Sequence, residues 1–528
     1  MRFAFRLVAA VVVTLGLLTG TASASHNADA HRKMDLLFSS PNSRINSDFA
    51  FWGNHAFAGY YRNDRDVGGF RIWDISDPVA PRLIRDFPCD GLQADPIAWD
   101  RNGNGVADLL LLAVDRTMAG AECGAPRSVH PDGTPFHDDP SGWEGVRVFT
   151  LSDDPANPFT DIQQVKAVYT DCGAHTITAW PGFADNATNP RLLVYVSSYP
   201  LRPGPTCGQK NGPPNGNDPL HKKISVVEVP FNNPESSSVI AQPPISYPGD
   251  PDGKIDWCER SVTGPGADCP VPGLIEPAAV ACHDIVVHVM TNLAGAACAE
   301  QGQVWRIDPS TGIPDTAHPV MVGDDEFSSG GTGNIPGAVD FFHSVMFNNE
   351  GTVVNWVDES FGEGCPPMTE WRERPWHPAA EQKTGKMFFS DLAGPFLSEF
   401  QVGDLRPDPA PTAYCSAHMG MAVMGIKQDL LVNAWYTGGV DVIDFTRPTR
   451  LKEIAYYDIF GPGPMGSDNW SAYPYTDPLF RGRRGVPVYA SDGVHTPDSA
   501  KGMLVFRAKI KQPRRDELVD HLNPQTMD

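Results

Sequence analysis

The sequence predicts an all-β fold, a seven-bladed β-propeller with disulfide-linked loops crowning its top face, and three observations carry that prediction. Fifty glycines and 50 prolines among 528 residues, with only 41% hydrophobic residues, describe many short strands joined by turns and leave little room for long helices. A short alternating strand running into an Asp/Ser/Pro turn recurs seven times. A more apolar strand, of the kind buried on both faces, precedes most copies.

The recurring phrase is most complete in Gly69-Phe-Arg-Ile-Trp-Asp74-Ile-Ser-Asp77-Pro, Gly145-Val-Arg-Val-Phe-Thr150-Leu-Ser-Asp153 and Gly439-Val-Asp-Val-Ile-Asp444-Phe-Thr-Arg-Pro448. Degenerate copies begin at Ile224, Val304, Leu397 and Met503. The apolar partner strands are Leu109–Asp115, Leu192–Val196, Thr352–Val357, Leu430–Ala434 and Val486–Ala490. Seven such units at spacings stretched by loops fit radial repetition around one axis, with blades starting near Asp48, Asp95, His175, His283, His343, His418 and Ser471. The last unit stops after its third strand at Ile510, and Met34–Phe38 is a strand with no blade of its own, so these two are expected to pair and hide both edges.

The ends of the chain read differently. Arg2 and Arg6 precede an apolar run from Leu7 to Leu18, and Ala22-Ser23-Ala24 follows, which is the pattern of a cleaved signal peptide over residues 1–24. No second apolar stretch approaches the ~18 residues of a membrane anchor, so the reading is a secreted, monomeric protein with one domain over 25–510. The polar stretch from Lys511 to Asp528 has few groups to bury and is expected to fray.

Ten cysteines suit an oxidising compartment. Propeller wiring suggests the pairs Cys89–Cys123, Cys172–Cys207, Cys258–Cys269, Cys282–Cys298 and Cys365–Cys415, and reactive thiols are the weaker reading. A net charge of -23 excludes nucleic acid and anionic lipid as partners, since both carry the same sign, and favours cations. The chain holds no Gly-x-Ser-x-Gly elbow, no HExxH and no phosphate-binding loop.

The strand-plus-turn phrase resembles the LVIVD repeat of bacterial and archaeal exported proteins. The resemblance covers most of residues 47 to 510, is strongest in blades one, two and six, and implies a propeller and an exported location. It implies no reaction, so function has to be read from the site.

Long insertions at Arg116–Trp143, Tyr199–His221, Pro243–Val280 and Ser360–Lys386 fall in loops that this wiring brings to one mouth of the channel. Four consecutive blades place His at the same point of the inner strand: His175, His283, His343 and His418. With 15 His in the chain any one position carries His about 3% of the time, so four in register is not chance. Converging neutral imidazoles are ligands for a transition metal such as Fe, Zn or Cu, and the arrangement is similar to the four-histidine iron centre of carotenoid-cleaving oxygenases, without that family's sequence. The competing reading is structural, with each imidazole pinning a neighbouring blade.

Asp48 and Asp95 are read as standing at the equivalent position in blades one and two, and Asp284, Asp358 and Glu359 as groups that could hold a ligating His by its other nitrogen. Separately, Asp100, Asn102, Asn104 and Asp108 have the alternate oxygens and intervening glycines of a calcium loop, or of a plain Asn-Gly turn. Two functions remain open: a scaffold whose top face holds a small molecule, glycan or extracellular protein, and a metal-dependent oxidoreductase or oxygenase. No catalytic residue is assigned.

Overall fold

In the computed structural model the recurring strands pair into seven sheets set around one axis, a seven-bladed β-propeller. The structure describes residues 30–40, 44–61, 68–134, 136, 139, 141–183, 188–198, 221–248, 281–298, 301–323, 341–359, 385–393, 396–400, 416–459, 468–476, 485–493, 502–513 and 518–528. Helix among them is limited to 3-10 turns at Pro234–Ser236 and Val289–Thr291.

Each blade is an antiparallel meander. The first runs Asn46–Trp52, His55–Tyr60, Gly69–Asp74, Arg82–Pro88, and the fourth runs Asp284–His288, Leu293–Cys298, Gln301–Arg306, Met321–Gly323. The innermost strands of the others begin at Pro96, Thr176, Phe342, Gly420 and Ala472. The second strands are buried end to end, as their apolar runs predict, for example Leu109–Val114 and Arg191–Ser197.

The repeated phrase has a local cause at both ends. Its leading glycines, Gly69, Gly145 and Gly439, have φ of 153°, 142° and 81°. A Cβ there would stand 2.2–2.4 Å from a carbonyl oxygen of the fourth strand, Phe87, Val168 or Tyr457, so only glycine lets the third and fourth strands close up. Its trailing aspartates fold the chain back: Asp74 accepts from the Ser76 N–H, Asp77 from Val79 and Asp444 from Thr446.

The blades are stitched at the hub by hydroxyls on the inner strands. Ser47 donates to the Ala94 carbonyl, Thr176 to His283, Ser344 to His418 and Ser471 to Ser47, each reaching from one blade to the next. Apolar clusters fill the space between sheets, with Trp180, Trp305, Trp356 and Trp435 fully buried. Met34–Ser39 pairs antiparallel with Gly502–Ala508 and completes blade seven, as expected from the missing fourth strand. Ala30–Arg32 adds an unforeseen fifth strand to blade six.

The C-terminal segment corrects an expectation. Its last residues do not fray; they fold into the channel at the end where the inner strands finish, which we call the floor. His521–Leu522 pairs with Phe51–Trp52 of blade one, and Thr526–Met527 runs parallel to Val287–His288 of blade four. Between these, the Asn523 side chain both accepts from the Ala98 N–H and donates to its carbonyl, and the Thr526 hydroxyl donates to Ala179. The segment thus binds four successive inner strands, and Leu522 and Met527 are buried. Its polar side chains look solvated in sequence because their partners are backbone groups of distant strands.

Cys89–Cys123 and Cys282–Cys298 are disulfides as expected. Cys172 is also disulfide-bonded, while Cys207, Cys258, Cys269, Cys365 and Cys415 lie outside the described residues.

Candidate metal centre

The inner strands begin at the opposite, top mouth, and there the four histidines meet. Their order in space follows their order in sequence. Ring centres of His175 and His283 are 4.4 Å apart, those of His283 and His343 3.7 Å, and those of His343 and His418 4.1 Å. The His175 and His283 Nε2 atoms approach to 2.8 Å. All four rings are buried.

The two ends of this arc are oriented from outside. Asp115 receives the His175 Nδ1 at 2.9 Å, and the Trp470 carbonyl receives the His418 Nδ1. Both contacts leave Nε2 turned into the cluster, the arrangement by which an outer carboxylate or carbonyl fixes the tautomer of a ligating histidine. In the middle, neither ring nitrogen of His343 has a hydrogen-bond partner among the described residues. Burial, and then the neighbouring imidazoles, push His283 and His343 well below the usual histidine range. They are neutral at physiological pH, with lone pairs available to a metal.

Glu359 faces this end of the arc. Its carboxylate oxygens lie 3.8 Å from His343 Nε2 and 4.0 Å from His418 Nε2, so it stands beside the Nε2 atoms rather than behind the rings, where the sequence reading had placed it. The Tyr436 hydroxyl donates to Glu359 at 2.6 Å, and the Tyr436 ring packs on His418 with centres 4.6 Å apart. Tyr436 has φ 44°, in the left-handed region that a bulky side chain rarely adopts. Reciprocal backbone hydrogen bonds with Asn469 hold it there. Trp470, its ring centre 4.1 Å from His418, closes that side.

Four other carboxylates belong elsewhere. Asp358 accepts from the Phe341 and Gly385 backbone N–H groups and braces blade five. Asp48 and Asp95 stand one residue further along the inner strand than the sequence reading placed them. Ser47 and Ala94 offer the carbonyls that His283 and His418 offer in other blades, so those residues, not the aspartates, are the histidine equivalents. Asp284 shares this second level. Burial pushes Asp48 up to about 6; burial and then the Asp48 charge push Asp284 up to about 8 and Asp95 well above the usual carboxylate range. Asp95 accepts from the Ile177 N–H of the next blade, and Gln525 of the C-terminal segment donates to Asp48.

In the loop read as a calcium site, Asp100 accepts from the N–H groups of Asn102, Gly103 and Gly105. Asn102 and Asn104 accept from Asn104 and Val106, and Asp108 pairs with Arg101. These oxygens are engaged as in a self-capped turn. A second group, Asp171, Cys172 and His221, brings ligand-type atoms together on blade three, but the Cys172 sulfur is in a disulfide. There Lys223 pairs with Asp171 at 2.6 Å and Ser198 meets His221 at 3.0 Å.

Asp115 and Tyr436 were not read as site residues from the sequence, although the signal existed. The residue after the second strand of one blade lies beside the start of the inner strand of the next, as the Ala174 N–H to Val114 carbonyl bond shows. Asp115 follows Leu109–Val114, Glu359 follows Val353–Asp358, and Tyr436 stands two residues beyond Leu430–Ala434.

Fold and site together define a β-propeller with a buried histidine arc at one mouth of its channel. No family model and no curated protein matches the sequence. Among solved structures it is similar to Sqt1 from Chaetomium thermophilum, at 13% identity and TM-score 0.42 over 90% of each chain. It is similar also to a putative 6-phosphogluconolactonase from Bacteroides fragilis, at 9% identity and TM-score 0.41, over 87% of this chain and 96% of that one. Saccharomyces cerevisiae Sqt1 gives 9% identity and TM-score 0.43 over 91% and 100%. Similarity at this level assigns no activity. Among the described residues no helix is long and apolar enough to cross a membrane.

Proposed function

We propose that this chain is an exported propeller that binds transition metal through His175, His283, His343 and His418 and takes a small molecule at that centre from the top of the channel, as an oxidoreductase does. The observation that carries the reading is His343, whose two ring nitrogens are buried and without a hydrogen-bond partner among the described residues. Leaving such a group unsatisfied costs about 1–3 kcal/mol, and a metal bond would offset that cost. A metal-free scaffold, the other reading of the sequence, leaves this nitrogen pair without a purpose.

The donor set supports the choice of metal. Neutral imidazoles suit copper, iron or zinc, whereas calcium and magnesium want oxygen. Copper or iron, once bound, would supply one-electron chemistry. The protein's own part is to keep the imidazoles neutral by burial, to aim His175 and His418 through Asp115 and the Trp470 carbonyl, and to hold a proton on the Tyr436 hydroxyl against Glu359. Export accords with the disulfides and with the LVIVD-like repeat and leader pattern in the sequence.

Elemental analysis of protein purified from its native compartment tests this. The expected result is stoichiometric transition metal that disappears in a His283→Ala/His343→Ala variant. Metal-free protein whose melting temperature is unmoved by chelator overturns it.

A further inference from the structure

The four imidazoles meet at one mouth of the channel, yet their spacing does not suit one ion. A metal about 2.1 Å from a ring nitrogen lies roughly 3.2 Å from the ring centre, so two rings bound to it at angles of about 90–110° hold their centres roughly 4.5–5.2 Å apart. The outer pairs approach that range, at 4.4 Å for His175 and His283 and 4.1 Å for His343 and His418. The central pair does not. His283 and His343 overlap at 3.7 Å with their planes 36° apart, which would demand an angle of roughly 70° at a shared ion. Rings that overlap so closely send their in-plane lone pairs side by side rather than to one point.

The remaining contacts divide the arc at the same place. His175 Nε2 and His283 Nε2 are 2.8 Å apart, close to the roughly 2.9 Å between neighbouring ligand atoms on an ion with 2.0–2.1 Å bonds. At the other end His343, Glu359 and His418 bring one ligand atom each within 4.8 Å of one another. Each half has its own carboxylate: Asp115 behind His175 in one, Glu359 facing both histidines in the other.

We infer that the mouth of the channel is a dinuclear centre, with one transition-metal ion on His175 and His283 and a second on His343, His418 and Glu359. The inference rests on the metal-binding reading above and sharpens it. The stacked His283 and His343 rings form the wall between the two ions, and only the second site has a carboxylate among its ligands.

The test is a Cu(II) titration of the full chain, with bound metal counted by mass spectrometry after gel filtration. Two ions per chain are expected in the wild type. His175→Ala/His283→Ala and His343→Ala/His418→Ala should each retain one. Where either double variant fails to fold, Glu359→Gln, which keeps the shape of the side chain, should weaken one ion at least tenfold and leave the other unchanged. One ion per chain, lost alike in both double variants, or two ions weakened equally by Glu359→Gln, overturns the dinuclear centre and leaves the metal-binding reading standing. No copper on the wild type ends both.

Discussion

The two mouths of the channel are built from the same seven inner strands, yet one gathers side chains and the other is filled by backbone. At the top the strands begin with imidazoles that contact each other and leave His343 without a hydrogen bond among the described residues. At the floor the C-terminal segment answers inner-strand groups with its own, through the Gly53 N–H to Asp520, the Val287 N–H to Gln525, and the two Asn523 bonds to Ala98. Satisfied polar groups stabilise a fold, and a buried one left unsatisfied calls for an explanation such as a bound ion or water. On the proposed reading the floor is structure and the top is site.

Deleting Asp520–Asp528 probes the difference most severely. It uncovers the surface that Leu522 and Met527 cover, at roughly 1.5–3 kcal/mol for each buried side chain. It also removes several hydrogen bonds, worth about 0.5–1.5 kcal/mol each. The truncated protein should lose about 5 kcal/mol or more, read by calorimetry as a melting temperature lower by roughly 5–15 °C. Metal uptake at the top should survive at low temperature. An unchanged melting temperature would mean that the segment is no part of the fold.

The floor should also answer to pH through His521. Burial alone would lower this imidazole, but hydrogen bonds to Asp520 and Asp528 outweigh it and carry it up to about 9. A folded value above the unfolded one, near 6.5, means that the ion pairs contribute fully below pH 6.5 and are lost as pH rises through about 9. The loss is about 2–3 kcal/mol for a shift of this size in a largely buried group. Urea midpoints at pH 6.5 and 9.5 should therefore diverge in the wild type and converge in His521→Gln. A variant as pH-sensitive as the wild type would detach the latch from this residue.

Much of this contrast was legible in the residues, for reasons that differ from element to element. The phrase beginning at Gly69, Gly145 and Gly439 betrayed the blades because its glycine and its turn aspartates each meet a steric or hydrogen-bonding need that recurs. The histidine register survived because an inner strand has one fixed starting point. Asp48 and Asp95 were misaligned by one residue; in blade one a bulge between Asn46 and Phe49 shifts the register, which no periodicity reveals. The C-terminal segment was hidden for the opposite reason: Asn523, Gln525 and Thr526 satisfy partners more than 300 residues away in sequence, and composition records only that they are polar.

Asp115 gives the finest division between the two mouths, because it is a carboxylate of the top whose removal should leave the fold nearly untouched. It holds His175 by Nδ1 at 2.9 Å, and such outer partners typically contribute 10–100-fold to metal affinity. Asp115→Asn keeps an oxygen for the Nδ1–H but loses the charge that makes the imidazole a better donor, so Cu(II) affinity should fall about tenfold; Asp115→Ala should lower it toward 100-fold. Competition against a calibrated chelator reads the affinity, and calorimetry should show the melting temperature of metal-free Asp115→Asn within about 2 °C of the wild type. The reverse pattern, a lower melting temperature with affinity intact, would make the top of the channel a structural hub like its floor, with imidazoles that pin blades and bind nothing.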